Sequence, residues 1–280
     1  MVKRDENHNS DHGFVKEIDI EAIIRSKVGR QARFIPRFVF SWLRKLIHED
    51  FINAYIRQER EGVDFCKGVI EYLGVTVDVE GLENLPSKDD GYCTFVSNHP
   101  LGAIDGVTLG AILGNHYDGQ IKYLVNDFLM NLRGLAPLCV PVNKIGGQAR
   151  SLPQMVEQIF SGQNHVIMFP AGLCSRRIDG VVQDLPWQKT FIVKSRKYQR
   201  PVVPVHFIGE NSKRFYRVAN FCKRFHLPNF AMALLPDEMY RSRGKHFTVR
   251  FGRPIPWQTF DSSKTPMEWA GFVRSEALKL

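Results

Sequence analysis

Apolar residues recur in two periods along this chain, and the change of period divides it. Residues 1–13 are polar and charged without apolar periodicity, which predicts a disordered tail. Asp19 is a good N-cap for a helix reaching about residue 30. Pro36 suits the first turn of a second helix. There Phe38, Val39, Trp42, Leu43, Leu46 and Ile47 recur at helical spacing, with Arg37, Arg44 and Lys45 beside them. A third helix is predicted over about 50–73. Then the period changes. Val75-Thr76-Val77-Asp78-Val79 alternates as a strand does, and Cys93–Ser97 is a short apolar strand. Further strands are predicted at 121–125, 138–142, 166–169, 202–207 and 247–251. Helices are predicted near 105–114, 147–161, 187–197 and 265–278. Strands alternating with helices imply an α/β fold with a mostly parallel central sheet flanked by helices. The expected organisation is a tail at 1–13, an N-terminal helical membrane-facing segment at 14–73 and an α/β domain at 74–280.

Composition narrows the function. With 280 residues, 44% of them hydrophobic and 24% charged, the chain can bury a core. Its five cysteines form no Cys-x-x-Cys pair, which argues against a disulfide framework or a zinc knuckle and for a reducing compartment. The net charge of +9 is clustered: residues 21–60 hold nine Lys/Arg against four acids, and residues 213–253 hold ten against two. Such surfaces meet nucleic acid, anionic lipid or acidic carrier proteins. No zinc-finger, RNA-recognition or basic-zipper pattern is present, so nucleic acid is not the expected partner. Neither a signal-peptide core nor a run of about 18 apolar residues occurs, so any membrane contact is expected from the surface. In that reading Trp42 and its neighbouring phenylalanines enter the lipid interface. The alternative is a helix docked on the core.

The candidate chemistry begins where Cys93–Ser97 ends. His99 follows that strand, and Pro100 biases it away from helical geometry. In α/β sheets functional groups collect beyond the carboxyl ends of strands. An imidazole there suits a general base. Asp105 is six positions on, about 240° around a regular helix, so the two meet only if Leu101-Gly102-Ala103 turns back. If it does, the carboxylate holds Nδ1–H and leaves Nε2 for substrate. Otherwise Asp105 caps a helix and His99 is a loop residue.

Asn98-His99-Pro100-Leu101-Gly102-x-x-Asp105-Gly106 resembles the first motif of the glycerolipid acyltransferases, the lysophosphatidate-acyltransferase-like superfamily, in a bacterial branch. Phe169-Pro170-Ala171-Gly172-Leu173-Cys174-Ser175-Arg176 resembles its third motif, Val203-Pro204-Val205 its fourth, and Gly134–Lys144 a loose second. Four motifs in family order are a specific signal. The resemblance spans about residues 75–255. It implies that the histidine deprotonates an acceptor hydroxyl, which attacks the thioester of acyl-coenzyme A or an acyl carrier protein. Cofactors and metals are not expected. Backbone N–H groups of the Gly172–Ser175 turn are candidates for binding the oxyanion. Lys144, Arg176 and Arg177 are candidates for an anionic headgroup. The implied setting is the cytoplasmic face of a bacterial inner membrane, peripheral or monotopic.

Two departures bear on the acceptor. Five residues separate His99 from Asp105 where the family usually has four, and Ala171 replaces the usual glutamate of the third motif. The second weakens the case for lysophosphatidate and leaves a lyso-amino-acid lipid, of ornithine- or glycine-lipid type, as an alternative. A peripheral lipid-binding protein that kept the fold without the chemistry is another. No Gly-x-Ser-x-Gly elbow supports a hydrolase. Cys174 reads as a small buried hydrophobe. The nine histidines show no His-Glu-x-x-His pattern.

Overall fold

The computed structural model describes residues 17–124, 132–139 and 152–280. The chain opens with α1 (Ile20–Val28), α2 (Arg37–Ile47), α3 (Glu49–Ile56) and α4 (Gly62–Leu73). Next come β1 (Thr76–Glu80), β2 (Thr94–Ser97), α5 (Ile104–His116), β3 (Ile121–Tyr123), α6 (Leu152–Ser161) and β4 (His165–Met168). A hairpin of β5 (Arg176–Ile178) and β6 (Val181–Gln183) leads to α7 (Thr190–Tyr198) and β7 (Val202–Ile208). The chain closes with α8 (Lys213–Arg224), α9 (Leu235–Arg241), β8 (His246–Phe251) and α10 (Pro266–Lys279).

Six strands form one sheet in the order β1-β8-β7-β2-β4-β3. All neighbours are parallel except β7 and β8, as the sequence predicts for a mostly parallel sheet. Its central strands are buried on both faces, which is why they read as unbroken apolar runs. Alternation along each strand splits them between two cores. Phe95, Ile167, Val203 and Val205 pack with Phe65, Cys66 and Val69 of α4 and with Leu109 and Leu113 of α5. Val96, Val166, Met168 and Val202 pack beneath α6, α7 and α10. A third cluster joins Cys174 to Phe215, Tyr216 and Ala219 of α8, with Leu46 of α2 against it.

Local signals set several ends. Asp19 caps α1 by accepting the Ala22 N–H, and Thr265 with Glu268 forms a capping box on α10. Gly110 lets α5 approach the core closely, since a Cβ there would meet Cys66 Sγ at 2.8 Å and the Tyr123 hydroxyl at 2.5 Å.

Three expectations need correction. The helix predicted over 50–73 is two helices, parted where Glu59 and Gly62 take left-handed φ values of 53° and 60°. The break coincides with the polar run Arg57-Gln58-Glu59-Arg60-Glu61-Gly62 between the two apolar stretches. Of the strand predicted at 138–142, residues 140–142 lie outside the described residues; Leu138 ends a 3-10 turn and Cys139 makes a parallel bridge to Tyr123. The β5–β6 hairpin, α8 and α9 are absent from the sequence prediction: β5, β6 and α9 are short, and α8, though amphipathic, is rich in Lys and Arg. Within the described residues no helix is long and apolar enough to cross a membrane.

Candidate active site

β2 and β4 are parallel neighbours, so the turns that follow them leave the same edge of the sheet. Asn98 fastens the first turn. Its Oδ1 accepts the Phe207 N–H at 2.7 Å and its Nδ2 donates to the Phe207 carbonyl at 2.8 Å, extending the β2–β7 pairing by a side chain. His99 comes next. The segment after it turns back, and Asp105 Oδ2 lies 3.0 Å from His99 Nδ1. The same oxygen accepts the N–H groups of Leu101 at 2.9 Å and Gly102 at 3.1 Å. Asp105 therefore organises the turn as well as the ring. Gly102 is required twice: its φ is +83°, and a Cβ would sit 2.4 Å from Cys174 Sγ. Asn211 Nδ2 donates to the Pro100 carbonyl at 3.1 Å from the other side.

The second turn closes over the first. Phe169 stacks on the His99 ring with centroids 4.1 Å apart. Pro170 and Gly172 occupy the second and fourth positions of a turn closed by Gly172 N–H donating to the Phe169 carbonyl at 2.9 Å. Ser175 N–H donates to the His99 carbonyl at 2.8 Å.

Asp184 joins the two turns, and the sequence reading missed it. Its buried Oδ1 accepts the His99 N–H at 3.2 Å and the Ser175 hydroxyl at 2.5 Å, while Oδ2 accepts Trp187 Nε1–H at 2.9 Å. It lies 85 residues beyond His99 in no motif. The short Leu-Pro-Trp segment after it was the sole local hint.

Electrostatics distinguish the site's ionisable groups. Burial pulls the His99 pKa down, but the charge and hydrogen bond of Asp105, with the charge of Asp184, outweigh it and leave the imidazole above its ordinary value. Burial pushes Asp105 up, and His99 with the Leu101 and Gly102 N–H groups more than reverse this, so the carboxyl is held below its usual range. Burial pushes the Cys174 thiol up to about 12, which leaves no nucleophilic thiolate at neutral pH. Among the described residues no cluster of His, Cys, Asp or Glu is arranged to hold a metal.

The remaining candidates separate. The N–H groups of Gly172 and Ser175 are committed to Phe169 and His99, so these two do not offer free oxyanion donors. Compact turns satisfy their own buried main chain first. Arg176 is buried, with Nη1 donating to the carbonyls of Cys174 at 2.6 Å and Ser175 at 3.2 Å and its guanidinium 5.6 Å from the Phe215 ring. It is a structural strut, because β5 alternates and turns this side chain inward. Arg177 points the other way, half-buried beside Tyr216, and its Nε has no hydrogen-bond partner among the described residues. Lys144 lies outside the described residues. Ala171 is buried in the cluster that holds Trp187, where a glutamate would carry a carboxylate into apolar surroundings.

An imidazole braced by a buried carboxylate at the carboxyl edge of a parallel sheet, with the adjacent thiol kept protonated, is arranged for general-base transfer. The sequence model of the Acyltransferase family matches residues 22–280, and the chain belongs to that family of enzymes. It is 56% identical over 266 residues to the lyso-glycine lipid O-acyltransferase of Bacteroides thetaiotaomicron, covering 94% of this chain and 97% of that one. It is 54% identical over 266 residues to the lyso-glycine lipid O-acyltransferase of Phocaeicola vulgatus, covering 94% and 95%. Among solved structures, 1-acyl-sn-glycerophosphate acyltransferase PlsC from Thermotoga maritima is similar at a TM-score of 0.47 and 18% identity, covering 92% of this chain and 85% of that one.

Proposed function

We propose that this protein transfers a fatty acyl group from an acyl-thioester to the hydroxyl of a lyso-glycine lipid. The observation that carries the acceptor is the 54–56% identity to two lyso-glycine lipid O-acyltransferases over 94% of the chain. The buried alanine at position 171 fits the same reading, since the glutamate associated with a glycerol-phosphate acceptor is absent.

The residues support a direct transfer. Asp105 accepts the Nδ1–H of His99 and leaves the Nε2 lone pair for the acceptor. Nε2 takes the hydroxyl proton as the oxygen attacks the thioester carbonyl. The C–O bond forms, the C–S bond breaks, and the imidazolium returns its proton to the departing thiolate. No acyl-enzyme is required. The thioester is supplied by acyl-coenzyme A or an acyl carrier protein. Of the two arginines, Arg177 is the one we assign to an anionic group of either substrate, because Arg176 is buried and committed to main-chain carbonyls while Arg177 is half-buried.

An acceptor of this kind resides in a bilayer. On α2, Phe38 is 73% exposed and Trp42 57% exposed, with Arg37 and Lys45 also facing outward. That helix seats the enzyme peripherally on the cytoplasmic face of a bacterial inner membrane. Purified protein incubated with labelled acyl-thioester and a panel of lysolipids tests the acceptor. Mass spectrometry is expected to find the O-acylated glycine lipid as the dominant product. Exclusive acylation of lysophosphatidate, or of no lysolipid at all, overturns this reading.

A further inference from the structure

We propose that Lys213–Phe230 forms a second lipid-docking surface beside α2, with an anionic bilayer as its occupant. The proposal rests on the membrane reading above and adds a second point of attachment. Residues 211–236 contain no Asp or Glu and five Lys/Arg. Arg214 is engaged with Asp237, which leaves Lys213, Arg217, Lys223 and Arg224 facing outward.

The outward face is apolar as well as basic. α8 buries Phe215, Tyr216, Ala219 and Cys222. The opposite stripe, Lys213, Arg217, Asn220, Phe221 and Arg224, is exposed at helical spacing. Every residue from Lys223 to Phe230 is exposed, with Phe221, Phe225 and Phe230 at 56%, 55% and 57%. The Phe221 and Phe225 rings pair at 4.7 Å instead of folding into the core. Phenylalanines held in water among cations suit the boundary of headgroups and acyl chains. An acidic carrier protein needs the cations but gives the three phenyl rings nothing to enter, so the bilayer is the better fit.

Position supports the assignment. Leu46 of α2 packs on the cluster formed by Phe215, Tyr216, Ala219 and Leu234. His48, which ends α2, lies 2.9 Å from Asp237 of α9 and ties that helix to the same block. Asn220 Nδ2 donates to the Arg177 carbonyl at 3.0 Å, so the wall adjoins the hairpin next to the active site. Two footings on the block that adjoins the catalytic turn would hold its mouth against the lipid that carries the acceptor.

Flotation of the full chain with vesicles of phosphatidylcholine, with and without phosphatidylglycerol, tests the proposal. The variants are Phe221→Ser/Phe225→Ser/Phe230→Ser, Arg217→Glu/Lys223→Glu/Arg224→Glu, and, on α2, Phe38→Ser/Trp42→Ser. Both wall variants are expected to lose about tenfold or more of their partitioning to anionic vesicles. They should retain wild-type transfer to detergent-solubilised lysolipid, which reports an intact fold and site. If only the α2 variant loses vesicle binding, the second surface is wrong and the membrane reading survives. If the wild-type protein binds no vesicle, both fall. If the charge reversals leave vesicle binding intact but raise KM for acyl carrier protein, the surface is a carrier site and the proposal is overturned.

Discussion

The turn from His99 to Gly106 and the wall from Lys213 to Phe230 stand side by side and are built on opposite terms. In the turn a few polar groups are buried and multiply bonded: Asp105 serves His99, Leu101 and Gly102 through one oxygen, and Asp184 serves His99, Ser175 and Trp187. On the wall the distinctive side chains are exposed and few are paired with protein. A buried group that loses its partner leaves an uncompensated dipole or charge, so single changes in the turn cost much. Exposed cations and rings act by summing small terms, so single changes on the wall cost little. The turn fixes atoms to within a bond length for chemistry. The wall needs only to face a surface.

This contrast can be broken most sharply at His99. The variant His99→Ala is expected to lower kcat by about 10³-fold or more, through loss of the general base. Flotation with vesicles should be unchanged. Transfer at the wild-type rate by purified H99A would remove the mechanism.

A second prediction concerns pH. The base must be neutral, and the His99 pKa lies above its ordinary value because Asp105 and Asp184 outweigh burial. The acid limb of kcat/KM is therefore expected above about pH 6.5. In Asp105→Asn the limb should move to lower pH while the plateau falls by about 10²–10⁴-fold, because the ring loses its orienting acceptor. An unmoved limb would show that another group titrates. Stability follows the same pair. The contribution of charged His99 is present below the ordinary imidazole value and fades as pH rises through the raised one. The contribution of Asp105 is present above the ordinary carboxyl range and fades as pH falls through its lowered value.

A smaller effect is expected from Asp184→Asn. The amide keeps one accepting oxygen but cannot accept from His99, Ser175 and Trp187 together. Stability should drop by about 1–3 kcal/mol. Asp184 touches no reacting atom and acts as a positioning residue. Loss of its charge should also shift the acid limb of kcat/KM downward, by less than Asp105→Asn does. A destabilised variant with an unshifted limb would reduce Asp184 to a scaffold role.

The His99–Asp105 pairing was readable because it is local. Seven residues, a proline and a glycine among them, contain the whole turn, and the sole open question was whether it folds back. The mostly parallel sheet was readable for a similar reason: strands covered on both faces leave unbroken apolar runs. The helix break at Arg57–Glu61 was less plain: its polar run and Gly62 mark it, but the left-handed φ of 53° falls on Glu59, a residue type that does not favour it.

By itself the sequence determined the α/β class, the strand that delivers His99, the family motifs and the excess of basic residues in 213–253. These rest on periodicity, spacing and count, which short stretches of chain contain. Only the tertiary structure decided that Asp184 reaches across 85 residues to staple two turns, and that Arg176 is buried while Arg177 is not. It also decided that Gly172 and Ser175 spend their N–H groups inside the protein, and that phenylalanines of α8 and its following loop face outward beside α2. Each of those outcomes depends on which distant groups compete for the same donor, acceptor or buried surface, and that competition exists only once the chain has folded.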